Sequence, residues 1–125
     1  MDHFNKNVGS VSDLVMQYFE GIHNGDIEKL EGVFHPQALV VGDVKGVEYF
    51  KTVGQYIEGV KSRKSPKELG ETFKMEIVSI EIINQTATVK ARVPIFGYNY
   101  YDLLSLAMVD GKWIIVNKLL THVND

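Results

Sequence analysis

The chain has 125 residues, enough for one domain with its own core and too few for two. Its 45% hydrophobic and 23% charged content is that of an ordinary globular domain, and a formal charge of −3 gives no electrostatic case for nucleic acid or an anionic membrane. There is no cysteine, which excludes disulfides, thiolate catalysis and thiolate-bound metal, and no apolar run approaches the ~20 residues of a membrane span.

The start MDHFNKNVGS does not read as a signal peptide, so a cytoplasmic location is expected. Residues 1–9 are polar with little periodicity and are expected to form a flexible arm. From Val11 to Asp26, Val11, Leu14, Val15, Tyr18, Phe19 and Ile22 lie on one stripe of a helix. Ser10 offers an N-cap and Asn24-Gly25 a left-handed stop. Tyr18 sits mid-stripe, so its phenol points inward and its hydroxyl needs a partner there. Asp26 can cap a short second helix carrying Ile27, Leu30, Val33 and Phe34, ended by His35-Pro36.

Ala38 to Gly42 reads as a short strand and Asp43 to Gly46 as a turn. Val47, Phe50, Val53, Ile57 and Val60 have helical spacing, which predicts a third helix weakened by Gly54 and Gly59. The connector Lys61 to Gly70 is basic and reads either as an anion-attracting lip or as a solvated loop.

The remainder is β. Phe73, Met75 and Ile77 alternate on one face and Val78, Ile80 and Ile82 on the other, a phase change that predicts a β-bulge. After an Asn84-Gln85 turn, Ala87, Val89, Ala91, Val93 and Ile95 alternate with polar residues. Phe96 to Asn99 breaks the pattern, Tyr101 to Val109 is apolar on both faces, and Asp110-Gly111 leads a hairpin into Lys112 to His122. Helices first and antiparallel strands last imply an α+β fold. The two-sided apolar strands predict a homodimer through the sheet.

The segment YFEGIHNGDIEKLEGVFHPQA, the glycine-ended turn and helix after it, and a terminal meander closing on DGKWIIVNK resemble the nuclear transport factor 2-like superfamily. Within it, the chain is most similar to the bacterial Putative lumazine-binding and SnoaL-like families. The resemblance spans nearly the whole chain. It implies a cone: N-terminal helices packed on a strongly curved antiparallel or mixed sheet, with an apolar pocket between them. The superfamily includes isomerases, dehydratases, hydrolases, cyclases and non-catalytic binders, so it implies fold more than function.

Ketosteroid isomerase is the relative whose mechanism is best understood. It uses a tyrosine and a protonated aspartic acid as an oxyanion hole, with an aspartate base. By resemblance, Tyr18 falls on that tyrosine and Asp102 near the oxyanion-hole aspartate, while the base position falls on Gly42. Asp43 is adjacent, but one residue along a strand is the opposite face. The same resemblance puts Ile114, Val116, Lys118 and Leu120 on the cavity face of the last strand. A three-residue loop, Val109 to Gly111, sets Asp102 opposite Lys118; a two-residue turn sets it opposite Leu119 and turns Asn117 inward. The resemblance favours the Lys118 register.

Tyr18, Asp102 and Lys118 read either as the polar floor of a binding pocket or as a structural ion pair satisfied by a tyrosine. His35 reads either as a general base or as a residue interacting with a helix dipole. Phe50, Tyr56 and Ile57 are pocket wall or core, Tyr98, Tyr100 and Tyr101 pocket mouth or dimer seam, and Trp113 packing. His3, His23 and His122 are scattered, and nothing indicates a metal or a cofactor.

The leading expectation is a domain that binds a small apolar or aromatic molecule, with Tyr18 and Asp102, and Lys118 if inward, fixing its polar end. The alternatives are a cofactor-free isomerase, cyclase or dehydratase acting on a carbonyl compound, and a non-catalytic dimeric scaffold. An enzyme would need a base, for which His35, Asp43 or a Lys118 of lowered pKa are the candidates.

Overall fold

The apolar stripe anchors α1 (Asp2–Asn24) with Val11, Val15, Tyr18, Phe19 and Ile22 all buried. The computed structural model describes residues 2–124, with side chains from residue 6 onward. Asp26 caps α2 (Ile27–Val33) by accepting from the Lys29 N–H at 3.1 Å. There follow β1 (Phe34–Val44), β2 (Val47–Thr52), α3 (Val53–Ser62), β3 (Glu76–Ile83), β4 (Thr86–Ile95), β5 (Tyr98–Val109) and β6 (Lys112–Val123). Among the described residues, no helix is long and apolar enough to cross a membrane.

The six strands form one sheet in the order β2-β1-β6-β5-β4-β3, antiparallel except where β1 runs parallel to β6. The sheet is curved and unclosed, and the helices pack inside the bend. Val40, Val89, Ala91, Leu104 and Ile115 meet the helical stripe there to form the core. On the outer face, Leu103 pairs with Leu119 and both stay about two-fifths exposed. The bulge expected in the third strand is present, as a register shift between Ile77 and Ser79.

Three expectations are corrected. The arm foreseen at residues 1–9 is helix from Asp2 onward, with Met1 outside the described residues, and Ser10 lies inside α1 instead of capping it. Residues 2–8 contain no glycine or proline, so the anchored helix propagates through them; the Ser12 hydroxyl donates to the Val8 carbonyl at 2.7 Å.

The single helix expected from Val47 to Val60 is instead a strand and a helix. Lys45 and Gly46 both take positive φ (54° and 78°), giving a two-residue hairpin that lays β2 along a first strand longer than the expected Ala38 to Gly42. Thr52 then starts α3 with a capping box: its hydroxyl accepts from the Gln55 N–H at 3.2 Å, and the Gln55 side-chain oxygen accepts from the Thr52 N–H at 2.9 Å.

The last hairpin follows neither expected register. Asp110-Gly111 is a two-residue turn pairing Val109 with Lys112, yet Asp102 lies opposite Leu120 and Lys118 opposite Leu104. The difference is a bulge: Leu106 faces Ile115 and Ser105 faces Asn117, which leaves Val116 as an extra residue. Trp113 and Ile115 are buried before the bulge, Lys118 after it. Lys118 is therefore inward, as the resemblance implied, but Ile114 and Val116 are not: both are half-exposed, on the other face.

Candidate functional site

Inside the bend lies a cavity of about 90 Å³. Asp102 from β5 and Lys118 from β6 form its polar floor, both fully buried. Ile22, Val93, Ile95 and Leu120 supply apolar wall, and Tyr49, Tyr56, Phe96 and Tyr100 supply aromatic wall.

The Lys118 Nζ lies 3.7 Å from Asp102 Oδ2 and donates to the Tyr56 hydroxyl at 2.9 Å. It also stands 4.3 Å from the Tyr56 ring centre and 5.0 Å from that of Tyr18. The Tyr18 hydroxyl donates to Asp102 Oδ2 from behind the floor. Phe34 braces the group, edge-on to Tyr18 at 5.7 Å and to Tyr56 at 6.0 Å.

Burial pushes the Asp102 carboxyl above its ordinary value, while Lys118 and the bond from Tyr18 pull it back. Burial works to lower the Lys118 ammonium, but the Asp102 carboxylate and the Tyr56 oxygen outweigh it, and its pKa rises. Burial and the Asp102 charge drive the Tyr18 phenol well up, so it remains a donor. The floor is a charged pair held by two phenols.

Several expected site residues are not at the cavity. Tyr18 touches the floor but not the cavity wall, because its hydroxyl is committed to Asp102. It does not share an acceptor with Asp102 as an oxyanion hole requires. Phe50 is 60% exposed on β2, since the segment is strand and not helix. Tyr98 stands edge-on to Tyr100 and His122 beside the cavity, under Lys45 at 4.4 Å. His35 accepts from the Gln37 N–H at 3.0 Å and is also off the cavity wall. Asp43 accepts from the Thr121 hydroxyl at 3.1 Å and is likewise not part of the wall. Among the described residues, no group of three or more His, Asp or Glu side chains converges as a metal site would.

Tyr49, Phe96 and Arg63 were missed as wall residues. Lys45-Gly46 before the β-formers of Val47 to Thr52, and Phe96-Gly97 between two alternating runs, are turn signals that would have found the first two. Arg63 stands at the C-cap of α3 with its guanidinium 4.8 Å from the Phe96 ring. The connector beyond it is exposed at Lys64 and from Lys67 to Gly70, as a solvated loop would be, but it is anchored in its middle. Ser65 and Pro66 are buried, Ser65 and Glu68 exchange bonds of 3.1 Å, and the Lys67 N–H donates to the His23 carbonyl at 3.0 Å.

Helices inside a bent six-stranded sheet, closing over a small cavity, define the nuclear transport factor 2-like class. Residues 6–121 match the Putative lumazine-binding family, to which the chain belongs. It is similar to an NTF2-like protein of unknown function from Methylobacillus flagellatus KT, with TM-score 0.85 at 21% identity over 95% of this chain and 94% of that one. Another NTF2-like protein of unknown function, from Shewanella baltica OS155, gives 0.84 at 21% over 98% of both chains. Aldolase FrzH of Cladobotryum sp. is 28% identical over 104 residues, 82% of this chain and 80% of that protein.

Proposed function

We propose that the chain binds a small, single-ring carbonyl compound in the cone, with a second copy of the chain covering the outer leucines of β5 and β6. The observation that carries this reading is Lys118. Its ammonium has three donors, and among the described residues one hydrogen bond, to Tyr56, uses them. A second faces Asp102 at 3.7 Å, and the third is left for a ligand oxygen on the cavity wall. At about 10–15 Å³ per water, the space holds roughly six to nine water-sized volumes, the size of one ring. The family's description names lumazine, a planar carbonyl-bearing molecule of two fused rings, so the chemical type agrees while the space favours a smaller member of it.

Titration of the isotope-labelled protein with benzamide tests this by NMR. Amide shifts are expected along Val93–Asp102 and Lys118–Leu120, with a diffusion coefficient of a dimer. Shifts confined to the outer sheet face would refute the cavity as the site.

The similarity to an aldolase favours a second reading, proton abstraction next to a carbonyl. Asp102 is the carboxylate on the wall, burial makes it a stronger base than usual, and Lys118 would stabilise the enolate. Exchange of α-protons of acetaldehyde in heavy water, lost in Asp102→Asn, is then expected. Exchange at the buffer rate in the unaltered protein would remove this reading.

A further inference from the structure

The cavity wall carries three charged residues: Asp102, Lys118 and Arg63. The first two neutralise one another at 3.7 Å. Arg63 remains, and among the described residues no carboxylate pairs with it. A chain of net charge −3 thus places an uncompensated positive charge on its cavity.

The Arg63 guanidinium is held in place. Its central carbon lies 4.8 Å from the centre of the Phe96 ring, a cation–π contact that uses none of its N–H donors in a hydrogen bond. Two residues on, buried Ser65 and the bond from Lys67 to the His23 carbonyl tie the connector to the end of α1. Tyr49 and Tyr100 add hydroxyls to the same wall. Burial raises the pKa of both, so they stay protonated and able to donate at neutral pH. Beside the cavity, Lys45 lies over Tyr98. The wall is rich in donors, and its one carboxylate already has partners.

We infer that the ligand is a planar monoanion of one ring, a carboxylate or enolate, whose charge is bound by Arg63 at the mouth while its far end meets Lys118 and Tyr56 on the floor. This rests on the cavity reading above and adds charge and orientation to it. Arg63 selects the anion; the floor selects a hydrogen-bond acceptor.

4-Hydroxybenzoate and 4-hydroxybenzamide have nearly the same shape, carry an acceptor oxygen at the far end, and differ in charge. Calorimetric titration of both, on the unaltered protein and on Arg63→Gln, tests the inference. 4-Hydroxybenzoate is expected to bind about tenfold or more tightly than 4-hydroxybenzamide. That preference is expected to fall below about threefold in Arg63→Gln, and to shrink as salt is raised from about 0.05 to 0.5 M. Arg63 is exposed, so the variant should keep the helical and sheet circular dichroism of its parent.

Equal affinity for the two probes would overturn the anion assignment and leave the cavity reading standing. A tenfold preference that survives Arg63→Gln would overturn the role of Arg63. Binding of neither probe would overturn the cavity reading and this inference together.

Discussion

Replacing Lys118 by methionine is expected to destabilise the protein by about 3–5 kcal/mol at neutral pH, because it strands a buried carboxylate without its counter-charge. Asp102 has the Tyr18 hydroxyl as its other partner, and one neutral donor does not balance a full charge on a carboxylate that is only 1% exposed. The sign of the pH dependence follows. In the parent, Asp102 has a folded pKa above its unfolded value, so its contribution is fully present below the ordinary carboxylate range and declines as pH rises through the folded value. Lys118 is raised as well, so its contribution persists through neutrality and fades only above the ordinary lysine range. Without Lys118, the Asp102 carboxyl rises further, so lowering the pH protonates it more readily and restores part of the loss. Urea unfolding of Lys118→Met at pH 7 and pH 5 checks this. Adding Asp102→Asn, which keeps an acceptor for Tyr18, should recover most of the stability at pH 7. A loss that is the same at both pH values, or a double variant no better than the single, would mean that the pair is not a compensated charge.

Gly42→Asp, which would place a carboxylate where the isomerase has its base, is expected to unfold the sheet's joint without creating activity. A Cβ on Gly42 would lie 1.8 Å from the Leu120 carbonyl oxygen, 2.8 Å from its carbon and 3.0 Å from its nitrogen. All three are backbone atoms of β6, paired with β1 at that point, so no rotamer change relieves the clash. This parallel pairing joins the β1–β2 hairpin to the rest of the sheet. Overpacking of this kind costs about 3 kcal/mol or more, equivalent to a fall in Tm of roughly 10 °C. Even Gly42→Ala should show it by calorimetry. A Tm within about 2 °C of the parent would mean that the strands part easily there, and the position would then be open to a catalytic side chain.

The fold was legible because its signals are local and repeated. The α1 stripe, the Asp26 cap, the five-fold alternation from Ala87 to Ile95 and the phase change near Ile77 each have one structural solution, and the structure has it. The segment from Val47 to Val60 misled because Val47 and Phe50 match a helical period by spacing alone, while pairing with β1 decides their state. Asp102 and Lys118 stood out as charges inside apolar strands. Their pairing was implied by the resemblance, but the register that makes it was not legible, since Val116 shifts the strand by one residue and no dipeptide announces a bulge inside an apolar run. Tyr49 and Arg63 were hidden for related reasons. One lies in the strand mistaken for helix, and the other is placed by how the connector binds back to α1.

The bulge at Val116 divides β6 into two segments of opposite phase, both flanked by β5 and β1. The part before it follows the Asp110-Gly111 turn and buries Trp113 and Ile115 in the core. The part after it, where Lys118 pairs with Val40 and Leu120 with Gly42, furnishes the cavity. Foundation and chamber thus occupy opposite ends of one strand, each with its own alternation, and a side chain can be exchanged at Lys118 without altering the phase that buries Trp113 and Ile115.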